Sequence, residues 1–379
     1  LKARPWPDGT LVGHGVTEAG PVSVHPSADS PLPLTQGPLP EAVVEEAPAY
    51  SPKGVTYLEA VARGVDDALR AFPESFVMGE DVGFPYGNAF LLLKPLVEQH
   101  RERIFNSTLA EAGIIGACVG AALEGMRPIG EMQFNDFVAT GFNELVNNAA
   151  KTRYRTGQAV PMVLRMPWGG LRRAGPYHSQ DTSPWFYRTP GLHIVAPSTP
   201  HDARALMMSA VASNDPVLYY EHIGLYRDPK IKQLLPDEPP VPIPLGKAAF
   251  RRLGDDLSLV SYGAYVHRAM RAAERLEREH GISCDVVDLR SLSPIDYGTL
   301  CRTVERTGKV LLVGEDSRTG SLLESIACRL GESLFDRLDA PIRVLGALDA
   351  PVPYAPSLED AYLLSEELLF DSALALARF

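Results

Sequence analysis

Residues 109–137 read Leu-Ala-Glu-Ala-Gly-Ile-Ile-Gly-Ala-Cys-Val-Gly-Ala-Ala-Leu-Glu-Gly-Met-Arg-Pro-Ile-Gly-Glu-Met-Gln-Phe-Asn-Asp-Phe. The stretch holds a small-residue helix over 112–125, a strand over 128–134, and an aromatic turn that opens the next helix. Helix, strand and helix in that order are one unit of a parallel sheet. The turn lies at the carboxyl end of its strand, where open parallel sheets bind ligands.

The same alternation extends in both directions. Thr56 and Glu59 have capping-box spacing, and Tyr57, Leu58, Val61, Val65, Leu69 and Phe72 follow at helical spacing. A strand over 75–79, a loop over 81–88, a helix over 89–99 and a short strand over 103–106 lead to the opening stretch. A long helix over 137–155 follows it. Then come a strand at 161–166, an irregular loop at 167–182, a strand at 193–196, a helix at 200–213 and a strand at 217–221. The pattern predicts an α/β domain with a parallel sheet covered by helices on both faces. Prolines at 229, 236, 239, 240, 242 and 244 interrupt it. Beyond them strands at 257–261, 284–289, 310–313 and 342–345 alternate with helices at 267–279, 296–306 and 320–335. The expected organisation is a Pro-rich tail or linker (1–52), a first α/β domain (53–228), a linker (229–245) and a smaller α/β domain (246–379).

Net charge is −11, from 36 basic and 47 acidic residues. This argues against nucleic acid as a main partner, because phosphate binding needs a clustered basic surface. Arg172-Arg173 is the densest basic spot near the loops of interest, and it suits either solvent or a small anion. No apolar run approaches the roughly 20 residues of a membrane span, and no secretory leader is visible. The chain opens on Leu1, so its natural start is expected upstream. Cys118, Cys284, Cys301 and Cys328 form no CxxC or zinc spacing. They read as buried reduced thiols of a cytoplasmic protein.

Several residues have two readings. Glu111 suits a helix N-terminus, where the dipole stabilises an acid. It equally suits a carboxylate that shares a proton with a heteroaromatic ring nitrogen. Phe134 and Phe137 suit core packing or stacking on a flat ring. His178 sits in a polar loop with Gly169, Gly170, Gly175 and Pro176, where a scaffold presents an imidazole that titrates near neutrality. His193, His201, His222 and His267 read as structural or surface. Gly113, Gly116 and Gly120 lie inside a helix, so close helix packing explains them better than a dinucleotide fingerprint. P-loop, HExxH and GxSxG patterns are absent from the sequence.

Taken together, residues 53–379 resemble the β subunit of thiamine diphosphate-dependent 2-oxo acid dehydrogenases. The resemblance rests on the 109–116 and 127–137 segments, Ala150-Lys-Thr-Arg-Tyr-Arg155, Tyr177-His-Ser-Gln180, Asp288-Leu-Arg-Ser-Leu-Ser-Pro-Ile-Asp296, Glu315-Asp316 and Asp349-Ala-Pro-Val-Pro-Tyr354. It implies a pyrimidine-binding parallel-sheet domain followed by a transketolase C-terminal-like α/β domain. Glu111 matches the glutamate that hydrogen-bonds the cofactor's pyrimidine nitrogen. Phe137 matches the aromatic packed on that ring, and Gln133 is placed beside the cofactor. His178 matches the histidine that guides substrate and assists acyl transfer to a lipoyl arm. Tyr177, Gln180 and Trp168 are placed near the substrate.

In this family diphosphate and Mg2+ bind a GDG…N motif on another domain, and no GDG occurs in this sequence. The resemblance therefore implies half a site, completed by an α subunit in a two-α, two-β assembly or by a fused α domain. It also implies an acyltransferase core with a lipoyl domain as partner. A potassium ion is expected near Asn214 and Asp215. Asn135 and the loop from Trp168 to Gly175 depart from the usual pattern near the substrate. The segments around Arg155, Trp168 and His178 favour a branched-chain 2-oxo acid, with pyruvate next. The alternatives are a transketolase-like half-enzyme for ketol transfer and a non-catalytic scaffold subunit.

Overall fold

The computed structural model describes residues 34, 35, 37–170 and 172–379. The first part of the chain forms β1 (Tyr50–Val55), α1 (Tyr57–Ala71), β2 (Ser75–Gly79), β3 (Ile104–Asn106), α2 (Glu111–Leu123), β4 (Arg127–Glu131), α3 (Ala150–Thr156), β5 (Val163–Trp168), α4 (Ser183–Tyr187), β6 (His193–Val195), α5 (Pro200–Ala212) and β7 (Val217–His222). The second part forms β8 (Ala249–Arg252), β9 (Leu257–Ser261), α6 (Tyr265–His280), β10 (Cys284–Asp288), β11 (Ser291–Ser293), α7 (Tyr297–Thr307), β12 (Val310–Ser317), α8 (Leu322–Ser333), β13 (Arg343–Ala347), α9 (Pro356–Tyr362) and α10 (Glu366–Ala377).

The strands make two sheets. The first runs β11-β6-β7-β5-β4-β2-β3 and is parallel except for β11, which pairs antiparallel with β6. The second runs β13-β12-β9-β10-β8, with β8 antiparallel at its edge. Strand β11 follows the proline-rich break in sequence yet closes the edge of the first sheet, so a strand from beyond the linker joins the earlier domain.

Local chemistry explains where elements start. Glu59 N donates to Thr56 Oγ1 (3.2 Å) and Thr56 N donates to Glu59 Oε2 (2.7 Å), which closes the capping box of α1. The buried face of α1 packs on α5. A Cβ on Gly64 would stand 2.9 Å from Met207 Cβ, so the helices approach closely there. Central strands β5 and β7 are buried along their whole length, as expected for strands covered on both faces.

Four expectations are corrected. The helix expected over 89–99 is a series of turns. Asn88 and Leu91 hold positive φ, and Asn88 Oδ1 accepts from Phe90 N (2.9 Å) and Leu92 N (3.0 Å), which competes with helical pairing. The long helix over 137–155 is broken into a 3₁₀ segment (Asn135–Gly141), a π segment (Glu144–Ala149) and α3. The expected tail falls partly on residues 1–33 and 36, outside the described residues. Residues 39–52 do pack on the body: Glu45 pairs with Arg290 (2.7 Å), and Pro40 O accepts from Arg302 (2.8 Å). Finally, Cys328 is exposed, unlike the other three cysteines.

Candidate active site

The opening stretch places its residues on one rim of the first sheet. Helix α2 starts at Glu111 with no side-chain cap on Ala110. Glu111 is half-buried, and its Oε2 accepts from Thr140 Oγ1 at 3.4 Å. The same hydroxyl proton is shared with its nearer acceptor, Phe137 O at 3.0 Å, which sets the carboxylate beside the aromatic turn. Gly141 favours this approach: a Cβ there would stand 3.3 Å from Ala112 Cα and would push Ile115 Cδ1 aside, so the 3₁₀ segment lies close against α2.

Phe134, Phe137 and His178 form an edge-to-face cluster. Their centroids lie 4.5 Å (Phe134–His178), 5.4 Å (Phe137–His178) and 6.1 Å (Phe134–Phe137) apart. Phe90 extends it, 5.5 Å from Phe134. Glu111, Phe137 and His178, far apart in sequence, are thus brought together. Gln133 is half-buried in the turn just before Phe134. Tyr177 is 66% exposed.

A buried polar lattice holds the His178 loop on the turn. Asn135 is fully buried. Its Nδ2 donates to Gln180 O (2.9 Å) and Asp136 Oδ2 (3.0 Å), and its Oδ1 accepts from Thr182 N (3.1 Å) and Thr182 Oγ1 (2.6 Å). Gln180 N and Nε2 both donate to Asp136 Oδ1 (3.2 and 3.0 Å). Burial pushes the Asp136 carboxyl up, against the pull of Gln180. Asn135 and Gln180 are therefore anchors of the loop. Asn135 has no free polar atom for substrate, which corrects the expectation drawn from its unusual identity.

Trp168 is corrected likewise. It is only 1% exposed and stacks on Tyr262 (5.9 Å) and against His222 (4.6 Å) in the core, away from the aromatic cluster. It ends β5, which is buried along its whole length. The loop after it is clamped to the second sheet: Gly170 N donates to Glu315 Oε1 (2.6 Å), and His222 Nε2 meets Glu315 Oε2 (2.8 Å). His222 and Gly170 outweigh burial and hold the Glu315 carboxyl below its usual range.

Three groups escaped the sequence reading. Glu80, at the carboxyl end of β2, is 5% exposed, and its Oε1 has no partner among the described residues. Burial and the nearby Glu111 carboxylate push its carboxyl up. An acid directly after a strand's carboxyl end was the available signal. Beneath the rim, fully buried Arg165 bridges Glu131 and Glu221, with Nε to Glu221 Oε1 at 2.6 Å and Nη2 to Glu221 Oε2 at 2.8 Å. Behind the loop, Asp181 accepts from Tyr262 Oη (2.8 Å), and burial with Asp181 pushes the Asp316 carboxyl up to about 8. No local pattern marks these last two sets.

The expected potassium loop is engaged by arginines. Asp215 Oδ2 accepts from Arg153 (2.6 Å) and Asn214 Oδ1 from Arg127 (3.2 Å). Among the described residues no group of three His, Cys, Asp or Glu side chains is arranged to hold a metal. No helix among them is long and apolar enough to cross a membrane.

Residues 53–229 match the family described as Transketolase, pyrimidine binding domain, and residues 246–368 match Transketolase, C-terminal domain. The 2-oxoisovalerate dehydrogenase subunit beta of Bacillus subtilis is 42% identical over 329 residues, covering 86% of this chain and 99% of that protein. The acetoin:2,6-dichlorophenolindophenol oxidoreductase subunit beta of Cupriavidus necator is 37% identical, covering 81% and 92%. The pyruvate dehydrogenase E1 component subunit beta of Staphylococcus epidermidis is 36% identical, covering 86% and 99%. Two domain matches in the expected order and relatives aligned over nearly their full length leave one conclusion: the chain belongs to the thiamine-dependent family of 2-oxo acid dehydrogenase β subunits.

Proposed function

We propose that this chain supplies the pyrimidine side of a thiamine diphosphate site and, with an α subunit or α domain, decarboxylates a 2-oxo acid. A branched-chain acid is the favoured substrate and pyruvate the next. The acyl group then passes to a lipoyl arm of an acyltransferase core. The observation that carries the reading is the link Glu111–Thr140–Phe137–His178, which sets a carboxylate, an aromatic wall and an imidazole along one rim.

The residues suit an aminopyrimidine. Such a ring needs a carboxyl partner for its nitrogen and a flat apolar neighbour, and Glu111 and Phe137 offer these with Gln133 beside them. When bound, thiamine diphosphate supplies the carbon nucleophile and electron sink of the reaction. Glu111 holds the ring-nitrogen proton at its carboxylate. Beside it, burial and the Glu111 charge push the Glu80 carboxyl up. Phe134 and Phe137 shield the site from water, and His178, held against both rings, would serve as the imidazole that guides the substrate.

The diphosphate and Mg2+ are assigned to the α partner, because this sequence carries no GDG motif for them. Two features support a partner on this rim. Leu109 is 83% exposed beside Glu111, and Gly113, Ala117 and Gly120 of α2 face outward. Those glycines meet almost nothing within the chain, so internal packing does not explain them as the sequence pattern suggested. Exposed small residues let another helix approach closely. The reading implies work in a bacterial cytosol or a mitochondrial matrix.

The test is Glu111→Gln, co-expressed with the neighbouring α polypeptide and assayed on 2-oxoisovalerate, pyruvate and 2-oxoglutarate. Gln cannot exchange a proton with the ring, and loss of general acid–base help is worth about 10²–10⁴ in rate. The variant should assemble and melt like the wild type. Wild-type turnover by the variant would sink the role of Glu111, and full activity of this chain without its partner would sink the half-site.

A further inference from the structure

Two arginines grip one phenylalanine at the edge of the aromatic cluster. The Arg172 guanidinium lies 4.9 Å over the Phe90 ring. Arg227 Nη2 donates to the Phe90 carbonyl oxygen at 2.7 Å. Both residues are exposed. They are close enough that, after partial burial, the charge of Arg227 is what pulls the Arg172 guanidinium below its usual range.

Neither arginine makes an ion pair among the described residues. The contrast with the next residue is sharp, since Arg173 is paired with Glu359 (2.6 Å) and Asp360 (2.8 Å). Acids are not scarce in a chain with 47 of them against 36 bases. Two adjacent like charges repel, and folds ordinarily relieve this with a carboxylate. Here the counter-charge is left to come from outside.

The pair also has an address. Contacts of 4.9, 5.5 and 4.5 Å lead from Arg172 through Phe90 and Phe134 to His178. Arg172 and His178 belong to one loop, whose far end is fixed by Asn135. The cationic pair therefore stands at the rim of the proposed site, separated from its imidazole by the rings of Phe90 and Phe134.

We propose that Arg172 and Arg227 form a carboxylate-binding subsite at the rim of the pocket, which favours anionic 2-oxo acids over uncharged ketones. The inference rests on the decarboxylase reading above. A guanidinium is a planar fork that matches the two oxygens of a carboxylate. Stacking on Phe90 fixes the plane of Arg172, and the Phe90 carbonyl fixes Arg227, so less side-chain freedom is lost on binding. The carboxylate is either the one common to all 2-oxo acids or the second one of a dicarboxylic 2-oxo acid. A cation acting at the rim assists capture. It does not strengthen in the transition state as the leaving carboxylate loses its charge, so its effect belongs mainly in KM.

The test uses the enzyme assembled with its α partner. Wild type, Arg172→Gln, Arg227→Gln, the double variant and Arg172→Lys are compared on 2-oxoisovalerate, pyruvate, 2-oxoglutarate and, as substrate or competitor, uncharged acetoin. The double variant should raise KM for the acids about tenfold or more, with a much smaller fall in kcat, since loss of one charge-assisted contact is worth about a factor of ten. Acetoin should be unaffected, Lys at 172 should restore part of the loss, and salt should raise KM more steeply in the wild type than in the double variant. A rise for every acid identifies the common carboxylate, and a rise for 2-oxoglutarate alone identifies the second. Unchanged KM for all three acids, or an equal rise for acetoin, would overturn the subsite. A wild-type enzyme that turns over none of the acids would overturn the decarboxylase reading and the subsite with it, a failure visible before any variant is made.

Discussion

Asn135→Ala is the perturbation that best separates the fold of the site from its chemistry. The side chain is fully buried and makes four hydrogen bonds, at 2.9, 3.0, 3.1 and 2.6 Å, with Gln180 O, Asp136 Oδ2, Thr182 N and Thr182 Oγ1. Alanine removes all four. Thr182 Oγ1 retains Tyr220 Oη at 2.9 Å, and Asp136 retains Gln180. Gln180 O and Thr182 N are left without these partners. Four bonds at about 1 kcal/mol each, or two unpaired buried backbone groups at about 1–3 kcal/mol each, both give about 4 kcal/mol.

In a chain of this length that loss lowers Tm by roughly 5 °C. Activity should fall further than stability predicts, because the bonds fix where the His178 loop meets Phe134 and Phe137. A displacement of about 1 Å is enough to cost about a hundredfold in rate. Asn135→Asp sharpens the reasoning. It keeps the acceptor for Thr182 but sets a second carboxylate against Asp136 and the Gln180 carbonyl, so it should destabilise more than alanine and recover in part at low pH. Denaturation of the assembled enzyme and kcat on the preferred acid are the assays. An alanine variant within 1 kcal/mol of wild type and with wild-type kcat would refute the claim that Asn135 seats the loop.

Two further outcomes follow from buried charge. Arg165→Met should cost about 3–5 kcal/mol in chemical denaturation, because Glu131 and Glu221 are then buried without their cation; replacing both glutamates as well should return most of that loss, and a single variant as stable as wild type would disprove the coupling. Asp316, pushed up to about 8 by burial and by Asp181, binds its proton more tightly folded than unfolded. Its stabilising contribution is complete below the ordinary carboxylate range near 4 and disappears as pH rises through about 8. Asp316→Asn should therefore flatten the decline in Tm between pH 5 and 8.5 and be the more stable protein at pH 8.5; parallel profiles for the two proteins would contradict the shift.

What could be read from the chain, and what could not, divides along one physical line. Strands β4, β5, β7, β9, β10 and β12 and helices α1, α5, α6 and α7 were legible because each carries its own signal: an apolar run, a helical stripe or a cap. Glu111, Phe137 and His178 were legible as candidates because they sit at strand ends and in a polar loop, where scaffolds expose side chains. The errors fall where distant contacts decide. Residues 89–99 have adequate apolar spacing, but Asn88 takes their amides and Leu91 adopts positive φ. Trp168 follows Pro167 in what reads as a loop, yet it is held in the core by Tyr262 and His222, far along the chain.

The same line explains the part of the site that was missed. Asn135 with Thr182, Arg165 with Glu221, and Gly170 with Glu315 pair residues 47, 56 and 145 positions apart. A buried polar group is stable only with its partner, so each member is unintelligible alone and compelled once the other is seen. Arg172 and Arg227 are the complementary case. Their arrangement around Phe90 is as specific as those buried pairs, but the acid that would make them intelligible is missing from the described residues. If buried pairs teach that a polar group implies its partner, an exposed pair of adjacent cations at the rim of a site for acids implies one too, and that partner is the substrate.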